Sequence, residues 1–194
     1  TGPYQHRLTG LVEHDQDRLK SFSGNGAGSN QTRRLEADAL AFDYGLSRGA
    51  FDVTGSVRHA VHSLFADSTT WRVGAGWDFD AVGGRLRANF GEAVKNPGIY
   101  ELFGFFPDFF TGNPELAPEE SRGWEVAWDQ SLLAGGAGVS VVYFGSELEN
   151  EVYTDFGAFP ATALNAATRA DRRGVEMSAA WDIDPAWSLF ASVS

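Results

Sequence analysis

The chain has 194 residues and a formal net charge of -11, from 26 Asp and Glu against 15 Lys and Arg. That balance argues against a nucleic-acid partner, which calls for a basic footprint. The lack of cysteine excludes disulfides, thiol nucleophiles and zinc–thiolate sites.

Taken in chain order, the pattern is one of period two. Thr1 stands first, with no charged-then-apolar leader, so any signal peptide is expected to have been removed or to lie outside this sequence. Weak alternation runs from Tyr4 to Glu13 and from Leu35 to Tyr44. The stretch between them, His14 to Arg33, reads as a long connection, and its Gly/Ser/Asn-rich part from Ser21 to Ser29 reads as a mobile loop tip. A short turn near Gly45 to Gly49 follows. Phe51, Val53, Val57 and Val61 then oppose Asp52, Thr54, Ser56, Arg58 and His62. After a medium connection near His62 to Thr69, Trp71, Val73, Ala75, Trp77 and Phe79 oppose Arg72, Gly74, Gly76 and Asp78. A short turn at Asp80 to Gly84 leads to Leu86, Ala88 and Phe90, opposed by Arg85, Arg87 and Asn89.

The longest connection runs from Gly91 to Glu120, where Gly112, Pro114 and Pro118 forbid a long regular element. Strict alternation resumes after Arg122: Trp124, Val126 and Trp128 point one way, and Gly123, Glu125, Ala127 and Asp129 the other. A short turn at Leu132 to Gly136 precedes alternation from Val139 to Leu148, and Val126 and Val141 are expected to share the apolar face. Asn150 to Thr168 is a third long connection. Val175, Met177, Ala179, Trp181 and Ile183 then oppose Glu176, Ser178, Ala180, Asp182 and Asp184, and a short turn at Asp184 to Ala186 leads into Trp187 to Ser194.

No apolar run reaches the ~18 residues of a spanning helix, but each alternating segment is near the ~9–11 residues of a tilted membrane-crossing strand. Short turns alternate with long connections, as in an up-and-down transmembrane β-barrel. A soluble β-sandwich has no reason to segregate them so regularly. All six tryptophans lie on apolar faces, and Trp77, Trp128, Trp181 and Trp187 lie beside short turns, where an aromatic girdle would sit. In a sandwich they would be core residues instead. The polar faces, with Arg58, Arg72, Arg85, Arg87, Glu125, Asp129 and Glu176, would line a wet lumen.

Three runs of residues resemble one known family. Asn113-Pro114-Glu115-Leu116-Ala117-Pro118-Glu119-Glu120-Ser121 resembles the Gly-Asn-Pro-x-Leu-x-Pro-Glu-x-Ser signature of TonB-dependent outer-membrane receptors. Lys95-Asn96-Pro97, with Tyr100-Glu101-Leu102-Phe103-Gly104, is similar to that family's Lys-Ala-Pro and Tyr-Glu-Leu-Tyr-Gly runs; Asn96 departs from the commoner Ala. Asn165 followed by Arg173-Gly174-Val175-Glu176 resembles its Asn…Arg-Gly-Val-Glu element, and Glu125 lies on the strand between. The resemblance covers Gly91 to Trp187; Thr1 to Phe90 fits through strand and loop pattern alone.

The resemblance implies an all-β, antiparallel barrel of roughly 22 strands with an N-terminal plug. Residues 1–194 would be a segment of that barrel of about nine strands, without the plug. It also implies the outer membrane of a Gram-negative bacterium, contact with its lipid, and a TonB complex reached through the plug. The ligand would be a scarce, bulky nutrient, a ferric siderophore or cobalamin. The run Glu101-Leu102-Phe103-Gly104-Phe105-Phe106-Pro107, with Asn96-Pro97, looks like barrel loops of the cobalamin branch.

No catalytic constellation, cofactor motif or metal set stands out, so enzymatic activity is not expected. His59 and His62 read as strand-surface residues rather than ligands. Asp15 and Asp17 read as a solvated acidic turn that could bind calcium. Asn30-Gln31-Thr32 matches a glycosylation acceptor, which the bacterial resemblance argues against. Substrate contact falls to the aromatics of the longest connection: Tyr100, Phe103, Phe105, Phe106, Phe109 and Phe110. The alternative is that these rings pack the loop itself. At the level of function, a transport receptor competes with a soluble all-β ligand- or carbohydrate-binding module and with a passive porin or adhesin barrel.

Overall fold

The computed structural model describes residues 3–22 and 30–194, so most of the segment read as a mobile tip lies outside the described residues. In chain order the strands are β1 (Gln5–Ser21), β2 (Gln31–Arg48), β3 (Phe51–His62), β4 (Ser68–Phe79), β5 (Gly84–Lys95), β6 (Phe110–Thr111), β7 (Glu119–Leu132), β8 (Ala137–Glu149), β9 (Val152–Asp155), β10 (Ala161–Asn165), β11 (Ala170–Asp184) and β12 (Trp187–Val193). A short helix, α1, spans Ile99–Phe103. Nine strands form one sheet in the order β1-β2-β3-β4-β5-β7-β8-β11-β12. Every neighbouring pair is antiparallel.

Register sorts the side chains onto two faces. Phe51, Trp77, Leu86, Trp128, Val141, Met177 and Val193 fall on one cross-strand row. The next row on the same face is Val53, Ala75, Ala88, Val126, Tyr143 and Val175. Val126 and Val141 therefore share a face, as expected. Most large side chains of this face are exposed, with Trp128 and Val141 half-buried, which inverts the usual placement of apolar residues in a protein with a core of its own.

The other face is polar and largely pairs with itself. Arg85 donates to Asp78 at 2.8 Å and to Asp52 at 2.5 Å. Arg87 donates to Asp129 at 2.5 Å, and the Ser140 hydroxyl donates to the same carboxylate at 2.7 Å. Asn89 donates to Glu125 at 2.8 Å. Among the described residues no buried side-chain polar atom lacks a partner.

Aromatic rings gather in two bands on the apolar face. Near the short turns, Phe51, Trp77, Phe79 and Trp128 follow one another at centroid separations of 5.9, 6.2 and 5.5 Å. Toward the opposite end, Trp71 meets Phe90 at 5.3 Å and Trp124 meets Tyr143 at 5.0 Å. Rings grouped in this way on an apolar face are the pattern of an aromatic girdle.

One expectation is corrected. His14 to Ser21 and Gln31 to Arg33 are strand and not loop, because β1 and β2 run 17 and 18 residues and pair along their whole length, from Gln5 with Ser47 to Ser21 with Gln31. Asp15 and Asp17 thus lie in β1, opposite Ala37 and Leu35, and not in an acidic turn. The physical reason is that ladder hydrogen bonds continue beyond the apolar band. There His14 faces Asp38, Gln16 faces Glu36, and hydropathy no longer alternates. His59 and His62 do lie on β3, where His59 meets the Thr69 hydroxyl at 2.8 Å.

An arginine at the lipid-facing midplane of a barrel costs about 2–4 kcal/mol. In a barrel that includes these strands, Val126→Arg is expected to lower folding stability in lipid vesicles by that amount. Thr54→Arg, on the polar face, should change it by less than about 1 kcal/mol. Denaturant titration in vesicles makes the comparison, and equal losses would refute the facing.

Candidate functional site: a lid at the long-loop end

The connections at 49–50, 80–83, 133–136 and 185–186 lie at one end of the sheet, and the long ones lie at the other. There, residues 96–118 and 150–169 fold together. β6, β10 and β9 form a three-stranded sheet in which β10 runs parallel to β6 and antiparallel to β9. This lid has its own small core of Leu102, Phe110, Leu116, Ala161 and Ala163, with Leu102 completely buried. Leu35, Phe65, Phe103 and Val152 pack around it.

Local chemistry explains α1. The Glu101 carboxylate accepts from the Gly98 amide at 2.6 Å, closing the first turn. Gly104 ends the helix at φ 52, and a Cβ there would stand 2.6 Å from the Gly112 nitrogen. Both the positive φ and that close approach require glycine.

The motif residues are the joints of the lid. Asn113 donates to the Ala163 carbonyl at 3.0 Å and accepts from the Glu115 amide at 3.0 Å. Asn165 accepts from the Ala117 amide at 2.8 Å and donates to the carbonyls of Ala117 and Asn150 at 3.0 and 2.7 Å. Pro114 is exposed and Leu116 is buried, and Pro118 stands at the stem where β7 begins. Glu119 accepts from the Lys95 ammonium at 2.7 Å and from the Val152 amide at 2.7 Å, tying β5, β7 and β9 together. Ser121 and Glu125 follow on the polar face of β7, level with Ala93 and Asn89.

Arg173, Gly174 and Glu176 lie apart from the lid, on β11. Gly174 is explained by packing: a Cβ there would stand 2.8 Å from Phe144 Cζ, so the glycine gives that ring its seat. Trp124 covers Gly145 in the same way. Glu176 lies on the polar face opposite Val142, and Arg173 on the other face opposite Gly145.

The candidate aromatics divide by burial. Phe105 and Phe110 are buried and Phe103 is half-buried, with Arg33 stacked 4.3 Å over the Phe103 ring. Tyr100 is partly exposed and stacks on Phe110 at 4.6 Å. Phe106 and Phe109 stand in the open at 58% and 69% exposure. The second loop adds rings absent from the sequence-based candidates: Phe156 and Phe159, exposed at 82% and 79%, with Phe109 6.3 Å from Phe159. The signal that could have found them is the run Phe156-Gly157-Ala158-Phe159-Pro160, a turn rich in aromatics. Gln31, which donates to the Gly104 carbonyl at 2.6 Å, joins the lid to the top of β2. Among the described residues no group of three or more His, Cys, Asp or Glu side chains could hold a metal ion.

The family model described as "TonB dependent receptor-like, beta-barrel" matches residues 1–194. The chain belongs to the TonB-dependent receptor family. Solved structures with the same fold include the siderophore receptor PirA from Pseudomonas aeruginosa, at a TM-score of 0.82 and 19% identity over 96% of this chain and 36% of that one. The ferric enterobactin receptor PfeA of Pseudomonas aeruginosa, as a G324V mutant, matches at 0.77 and 15% over 97% and 32%. The hemophore receptor HasR of Serratia marcescens, solved with its hemophore HasA and heme, matches at 0.77 and 16% over 92% and 37%. The chain thus spans about a third of the length of these receptors. Its open nine-stranded sheet is the corresponding part of a TonB-dependent receptor barrel.

Within this receptor segment the Glu119 latch lies beyond the aromatic bands, at the root of the lid. Burial alone would push its carboxyl up. The Lys95 hydrogen bond, the Val152 amide and the Lys95 charge outweigh burial and hold it below the usual glutamate value. A carboxyl with a depressed folded-state pKa stabilises above its unfolded value and loses that contribution as pH falls through the folded one. Lid protection should therefore fade on acidification below the usual glutamate range. Glu119→Ala should remove about 1–3 kcal/mol locally at neutral pH by orphaning the Val152 amide. Hydrogen exchange at Val152, corrected for intrinsic rates, reads both effects, and unchanged protection would refute the latch.

Proposed function

We propose that this chain belongs to an active-transport receptor in the outer membrane of a Gram-negative bacterium. The receptor takes up a scarce, bulky nutrient, an iron chelate of the ferric-siderophore class or cobalamin, with energy passed through TonB. The observation that carries this reading is the lid. An ordered, aromatic-bearing platform at the long-loop end stands over a sheet whose outer face suits lipid and whose inner face is polar. A passive porin has no need of such a platform, and a soluble module would not expose the apolar rows.

The solved relatives favour iron over cobalamin, since those named are siderophore, ferric enterobactin and hemophore receptors. The resemblance to cobalamin-branch loops rests on Glu101 to Pro107, and in this chain that run builds the lid core through Leu102 and Phe105. Capture is assigned to the exposed rings Tyr100, Phe106 and Phe109, while Phe103, Phe105 and Phe110 hold the platform. The polar inner face suits a plug domain, through which the TonB complex would act. The receptor's role is binding and transport and not catalysis.

The full-length receptor, expressed in an iron-starved Gram-negative host stripped of its own receptors, should restore growth on at least one ferric siderophore. Deleting TonB should abolish the rescue. Phe106→Ala with Phe109→Ala should weaken ligand binding roughly tenfold, in line with about 0.5–1.5 kcal/mol per aromatic contact. Rescue that persists without TonB would convert the reading to a passive pore.

A further inference from the structure

The capture surface has a composition that selects a ligand charge. Residues 96–118 and 150–168 contain no Lys, Arg or His, but they carry Glu101, Asp108, Glu115, Glu151 and Asp155. Three cations at the edge of the lid have partners of their own. Lys95 bonds Glu119 at 2.7 Å, Arg33 stacks on Phe103, and Arg169 pairs with Glu147 at 3.1 Å and Asp171 at 3.3 Å. Against that acidic ground stand the exposed rings Phe106, Phe109, Phe156 and Phe159. Asp108 sits in the turn between the first two, closed by the Phe109 and Phe110 amides donating to the Phe106 carbonyl at 2.8 and 2.7 Å.

Exposed rings grouped in one patch mark a binding surface. Carboxylates among them repel an anion, and the two loops themselves carry no guanidinium to pair with one. Aromatic faces do attract cations and apolar surface. We infer that the lid admits a neutral or cationic ferric chelate with an apolar flank, of the tris-hydroxamate kind, and disfavours the trianionic ferric tris-catecholates. This rests on the transport reading above and narrows its substrate class.

The test uses the full-length receptor in detergent, with tryptophan fluorescence quenching as the readout. The probes are ferrioxamine B, a cationic tris-hydroxamate chelate, and ferric enterobactin, a trianionic tris-catecholate. At low ionic strength ferrioxamine B should bind at least roughly tenfold tighter, and the ratio should shrink as salt screens the carboxylates. Phe109→Ala with Phe159→Ala should weaken it roughly tenfold. Asp108→Lys with Glu115→Lys should shift the ratio toward ferric enterobactin, and circular dichroism should show an unchanged sheet in both double variants. Tighter binding of ferric enterobactin to the unmodified receptor would overturn this inference and leave the transport reading standing. Binding of neither chelate would overturn this inference, while the transport reading stands or falls on the TonB-dependent growth rescue above.

Discussion

Everything in this chain depends on lateral pairing of backbone between strands that face hydrocarbon. In lipid an unpaired N–H or C=O costs several kcal/mol, so each strand must find both neighbours along its apolar length. The continuous register meets that demand through eight antiparallel seams for every strand of the sheet but β1 and β12, which stand at its open edges. With the backbone committed, the only remaining freedom is which side chain each position shows to which solvent. Apolar rows go outward, charges go inward, and the rims take rings that tolerate both.

The inner ion pairs serve placement more than stability. Arg85, Asp52, Asp78, Arg87 and Asp129 are each about a third exposed or more, and pairs of that kind contribute about 0–1 kcal/mol. What they do is keep the inner face hydrated and self-neutralised. Glycines make this possible. At Gly76 a Cβ would collide with the Arg85 guanidinium, which spans the glycine to reach from Asp78 to Asp52. At Gly174 and Gly145 the same device seats Phe144 and Trp124. The Arg-Gly-Val-Glu element thus has a packing reason at its glycine.

Legibility in the sequence followed the apolar band. β3 was readable to its bounds, because Phe51 to His62 alternates throughout and lies between two turn signals. The facing of Trp71, Trp77, Trp124, Trp128 and Trp181 was readable for the same reason, whereas Trp187 stands opposite Asp184 beyond a break in register. The outer halves of β1 and β2 were not, since Asp15, Asp17 and their partners pair through backbone with water on both sides and leave no hydropathy signal. The lid was legible only as positions. Asn113, Glu119 and Asn165 could be picked out by resemblance, but their contacts join segments up to 50 residues apart. No local pattern predicts the parallel pairing of Phe110 with Ala161. Burial also divided rings of identical chemistry, placing Phe105 and Phe110 inside and Phe106 and Phe109 outside. That division is set by the three-dimensional course of the loop and not by its composition.

The lid and the wall are held by different forces, and this separates their mechanics. The wall is a ladder whose rupture exposes backbone to lipid. Besides its stems, the lid is joined to it by side-chain bonds such as those of Gln31, Glu119 and Asn96 with His62, and by contacts of Leu35 and Phe65 with its small core. A neutral hydrogen bond of this sort contributes a net ~0.5–1.5 kcal/mol, and the bonds of the Glu119 carboxylate about 1–3 kcal/mol. The lid is therefore the low-stability unit of the structure, able to open without disturbing a single wall seam. Its inner joints, Asn113 to Ala163 and β6 to β10, bind the two loops to each other. The two loops therefore form one packed unit, and the rings on both turns, Phe109 and Phe159, stand 6.3 Å apart within it.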